Sequence, residues 1–113
     1  MEFKQPLCDK KIIGAIRQCA SGEGCVRATY RAQQDISRLD MTLEGVCEAI
    51  VKWIDDGKTI TQDLAGHEKH AGKFLYIMTP EIEGEERYVK VQLDEETDTV
   101  YVMIVVSAHE YEQ

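Results

Sequence analysis

No apolar run in this chain approaches the ~20 residues that a membrane-spanning helix needs, so no span is expected. The opening Met1-Glu2-Phe3-Lys4-Gln5-Pro6 contains an acid and no apolar core. It does not read as a secretion signal, and the chain is expected in the cytoplasm. Repeats and low-complexity linkers are also missing, which leaves residues 1–113 as one expected domain. Positive charge is scarce: 13 Lys and Arg face 21 Asp and Glu, for a net charge of −8. That balance argues against a generic nucleic-acid binder, and DNA binding by the chain alone is not expected. Four cysteines are present (Cys8, Cys19, Cys25 and Cys47), but not at C-x-x-C or any common zinc spacing. They are expected to be reduced and mostly buried thiols.

The charge is unevenly spread. Up to residue 40 there are seven basic and five acidic side chains; beyond it there are six and sixteen. Much of the acidic excess lies at 81–86 and 94–98, which read as solvated loop tips. A local basic surface is compatible with this distribution, although the global field opposes RNA approach.

The first half has helical periodicity. Asp9 is an expected N-cap for a helix over 10–19, with Ile12, Ile13 and Ile16 as its apolar stripe. Ala20-Ser21-Gly22-Glu23-Gly24 should end it in a turn, and lacks the later Gly and Lys-Ser/Thr of a phosphate loop. A second helix is expected over 29–39, with Ala32, Ile36 and Leu39 on one side. The third is the clearest. Thr42 caps it, and Leu43, Val46, Cys47, Ile50, Trp53 and Ile54 recur at steps of three and four. Trp53 is expected in the core, and Asp55-Asp56-Gly57 should end the helix with both carboxylates turned to water.

After residue 57 the period becomes two. Residues 73–79 make a short strand, and 58–61 offer another. Residues 86–93 alternate, with Val89, Val91 and Leu93 facing one way and Tyr88, Lys90 and Gln92 the other. Residues 99–107 are apolar on both faces, as a central strand should be. The expected class is α+β, three N-terminal helices packed on an antiparallel β-meander.

One pattern carries a resemblance. Val26-Arg27-Ala28-Thr29 reads V-R-x-T, Ala32 and Leu39 follow, and Gly45-Val46-Cys47-Glu48-Ala49-Ile50 reads G-x-C-x-x-I. Together with the later strand bearing Tyr88-Val89-Lys90-Val91, this resembles the MqsR-type toxins, mRNA interferases on a RelE-like scaffold. The resemblance implies an endoribonuclease of a toxin–antitoxin pair, with mRNA as substrate, a cognate antitoxin as partner and no cofactor. It places Lys58 at the family's Lys after the long helix, Tyr88 at its Tyr, and His109 at or near its terminal Lys. The family's Gln falls near Leu75 or Tyr76, and its Arg near Thr79.

Cleaving RNA without a metal needs a base for the 2′-hydroxyl, an acid for the leaving oxygen and a cation for the phosphorane. Histidine titrates nearest the working pH, and the chain has His67, His70 and His109. His109 is the candidate acid or base, Lys58 the phosphate cation, and Tyr88 the group that orients RNA. His70 and Lys90 are candidate RNA contacts. The plainer reading leaves these side chains solvated, on a non-catalytic binding module of the same fold. His67 and His70 also resemble half a metal site, but no third ligand has a completing spacing and no metal is expected.

Overall fold

The computed structural model describes residues 4–23, 25–63, 74–95 and 100–110. Its order is β1 (Lys4–Pro6), α1 (Lys10–Gln18), a wide π-helical turn (Cys19–Glu23), β2 (Cys25–Ala28), α2 (Tyr30–Arg38), α3 (Leu43–Asp55), β3 (Thr61–Asp63), β4 (Leu75–Met78), β5 (Glu81–Ile82), β6 (Glu85–Glu95) and β7 (Tyr101–Glu110). The expected α+β class and all three helices are present. Among the described residues, no helix is long and apolar enough to cross a membrane.

Local chemistry sets the helix starts. Asp9 accepts from the Lys11 amide, Thr29 from Ala32 and Thr42 from Gly45, each satisfying a first-turn donor. Ile16, Val46 and Ile50 are fully buried, in one cluster with Val89, Val91, Met103 and Val105 of the two long strands. Ile54 lies at the rim of that cluster. The helices therefore cover the sheet face predicted from the alternation in β6.

The sheet corrects the expected meander. Its order is β1-β3-β4-β6-β7-β2, with β5 paired to β6, and β2 runs parallel to β7. The sheet is mixed, and two of its strands, β1 and β2, precede or interrupt the helices. Both are short and largely exposed, so neither carries enough alternation to be read from sequence. β7 lies between β6 and β2, as its two-faced apolar pattern requires. The third strand runs over Thr61–Asp63 and overlaps the expected 58–61 only at Thr61.

Two further expectations change in detail. Cys19 and Cys47 are buried, but Cys8 and Cys25 are exposed; all four thiols are free. Burial raises the Cys19 and Cys47 thiols above their ordinary pKa. The α3 carboxylates are partly exposed but not left to water: Arg17 grips Asp55 at 2.7 and 2.9 Å, and Lys52 meets Asp56 at 2.9 Å. The first pair ties α1 to α3, and the guanidinium lowers the Asp55 pKa. Of the two acidic tips, 81–86 is a tight hairpin around Glu83-Gly84, whose φ values of 56° and 81° suit a primed turn. Buried Ile82 anchors it. The other tip, 94–98, lies only partly within the described residues.

Candidate functional site

The C-terminus of α3 places Lys58. Asp56 is the C-cap, and Gly57 follows at φ 74°, a left-handed conformation that glycine adopts without a Cβ clash. The Gly57 amide then donates to the Ile54 carbonyl at 3.0 Å and the Lys58 amide to Trp53 at 3.1 Å, the two bonds of a Schellman cap. This turn folds Lys58 back over the Trp53 ring, with Nζ 5.2 Å from its centroid. Trp53 Nε1 donates to the Thr59 carbonyl at 3.1 Å, fixing the segment from the other side. Trp53 is thus half-buried at the core rim and also lines a surface cavity, rather than being wholly core.

A register shift places His109. From Glu95↔Tyr101 to Val91↔Val105 the two long strands pair without interruption, but Lys90 pairs with Ser107, leaving Val106 as an extra residue. Without that bulge Tyr88 would sit opposite Ala108, and His109 would point to the helix-covered face. With it, Tyr88 pairs with His109. Their rings stack at 5.0 Å between centroids, with 16° between planes. The Thr29 hydroxyl donates to the Val106 carbonyl at 3.0 Å, and the Thr29 amide to Val105 at 3.0 Å. Thr29 therefore both caps α2 and holds the bulge that aims His109.

Replacing Thr29 by Ala is expected to cost about 0.5–2 kcal/mol of stability through the lost cap. Serine should restore most of it. Urea denaturation of the three proteins reads the difference.

His109 is half-buried, and its Nδ1 lies 2.9 Å from the Glu110 carbonyl. A carbonyl only accepts, so this contact puts a ring proton on Nδ1. Beyond it, Arg38 binds the Glu110 carboxylate through both terminal guanidinium nitrogens, and Asp35 accepts from the Ala108 amide at 3.3 Å. The Arg38 contact holds Glu110 at about 2, below its ordinary 4.5. A carboxylate lowered in this way stabilises the fold fully above its unfolded value, and the contribution fades as pH falls from about 4.5 towards 2. Glu110→Gln should accordingly lower chemical-denaturation stability at pH 7, with the gap to the parent closing near pH 2.

Lys90 Nζ lies 5.7 Å from the centroid of the Tyr88 ring. A cavity of about 490 Å³ opens beside Tyr88, lined also by Lys4, Trp53, Gly57, Lys58, Thr59, Thr61, Ile77, Met78 and Thr79. The structure thus draws Tyr88, His109 and Lys90 together and puts Lys58 on the same cavity as Tyr88. His70 and His67 lie outside the described residues. Compared with protein-family models, curated proteins and solved structures, the chain matches none.

Sequence reasoning missed Lys4 and Thr29 as contributors to this region. Lys4 reaches the cavity because β1 pairs antiparallel with β3, and a three-residue exposed strand leaves no periodic signal. Thr29 was legible as a helix start but not as the clamp on a bulge 77 residues away.

Proposed function

We propose that this chain is an MqsR-like toxin of a type II toxin–antitoxin system, an endoribonuclease that cleaves mRNA in the cytoplasm without a metal. Its scaffold is read as a variant of the RelE-like fold, and its partner as a cognate antitoxin. The observation that carries the reading is the stacked Tyr88–His109 pair, with Lys90 against Tyr88 and Lys58 on the adjoining cavity. A histidine, an aromatic ring and lysine cations supply an acid–base group, a surface that orients a nucleotide and charge for the phosphorane.

In this mechanism Nε2 of His109 takes the proton of a 2′-hydroxyl. The freed oxygen attacks the adjacent phosphorus, the bond to the 5′-oxygen breaks, and that oxygen receives a proton from the imidazolium. The products are a 2′,3′-cyclic phosphate and a 5′-hydroxyl. Lys58 balances the charge that builds on the phosphorane, while Tyr88 orients the nucleotide and Lys90 adds a backbone contact.

A second reading, a non-catalytic binding protein on the same fold, is favoured by one observation. Leu75 and Tyr76, where the family carries Gln, are buried, and Thr79 supplies no charge where it carries Arg. Incubating the purified protein with a long single-stranded RNA, with a chelator and no added metal, separates the two. Cleavage to cyclic-phosphate ends supports the nuclease; intact RNA supports the binding protein.

A further inference from the structure

The cavity beside Tyr88 has a lining unlike the rest of the molecule. The chain carries a net charge of −8, yet two lysines, Lys4 and Lys58, line this cavity. Three threonines (Thr59, Thr61 and Thr79) and Tyr88 add hydroxyls, and no carboxylate belongs to its described lining. Asp63, across from Lys4 in the β1–β3 register, is buried and lies outside that lining. Neither lysine forms an ion pair with a described residue. Two lysines lining one cavity favour an anion there. The volume, about 490 Å³, is that of a small-ligand site and exceeds what a lone inorganic ion fills.

We propose that this cavity seats a backbone phosphate of single-stranded RNA between Lys4 and Lys58, so that the N-terminal strand completes the site. The choice of RNA as ligand rests on the nuclease reading; the anion seat rests on the lining alone. Lys58 lies over Trp53, the single tryptophan of the chain, so an anion drawn to Lys58 alters the surroundings of that indole. Lys4 acts as a positioning residue. It binds a phosphate and takes no part in proton transfer.

The test uses a short single-stranded RNA carrying 2′-O-methyl groups throughout, which binds but cannot be cut. Binding is followed by Trp53 fluorescence across a salt series for the parent, Lys4→Gln and Lys4→Arg. Each phosphate contact on a single strand contributes a slope of about 0.7 to log K against log salt. Lys4→Gln should weaken binding and reduce the slope by about that amount, Lys4→Arg should restore both, and cleavable RNA should show a raised KM with kcat little changed. Equal binding and slope in parent and Lys4→Gln would overturn the proposal. So would equal weakening in both variants with an unchanged slope, the mark of a merely structural strand. A poly-glutamate peptide that binds as tightly as the RNA analogue would overturn it as well, by making the seat a site for acidic protein. If the parent binds the analogue through Lys4 but cuts no RNA, the phosphate seat stands and the nuclease reading falls.

Discussion

Replacing His109 by alanine is expected to slow RNA cleavage by ~10²–10⁴-fold, the loss that follows removal of a positioned acid–base group. The effect should fall on the chemical step. His109 is half-buried near the end of β7, and its backbone pairing with Tyr88 does not need the ring. The fold should therefore survive, with thermal melting and circular dichroism close to those of the parent. Tyr88→Phe is the companion variant. It keeps a ring to stack on His109 but removes the hydroxyl, so a smaller loss than for His109→Ala would assign Tyr88 to orientation rather than proton transfer. Equal cleavage by the parent and His109→Ala would defeat the assignment of His109.

The largest effect on stability is expected at Ile50. Its side chain is fully buried in the middle of α3, in the cluster that joins Val46 to Val89, Val91, Met103 and Val105. Truncation to alanine removes three carbons from close-packed surroundings that relax only in part, at a cost of ~2–5 kcal/mol. For a small domain, that is a large fraction of the total stability. Urea or guanidinium titration measures it directly. A loss under ~1 kcal/mol, within reach of an ordinary surface substitution, would mean that α3 does not seat on the sheet as described.

Which residues were legible in advance follows from how local their signals are. Thr42, Leu43, Val46, Cys47, Ile50 and Gly57 announce α3 because cap, apolar period and C-terminal glycine all lie within one short stretch. Tyr88, Val89, Lys90 and Val91 announce β6 and its two faces by strict alternation. Charges at helix ends were less readable. Asp55 and Asp56 oppose the helix dipole; only the folded chain brings Arg17 to Asp55, whereas Lys52 meets Asp56 from one turn away on the same helix.

The sequence by itself determined the class of fold, the three helices with the N-caps Asp9 and Thr42, the buried seam of α3 and the residue types fit for acid–base and phosphate chemistry. Each of these depends on neighbours a few positions apart. Tertiary structure alone decided that β2 joins β7 in parallel, that β1 carries Lys4 to the cavity, and that one extra residue at Val106 turns His109 towards Tyr88. The physical reason is parity. A strand that is apolar on both faces does not disclose in its own letters which side each residue takes, so a single bulge, held by a distant threonine, sets the face on which the histidine appears.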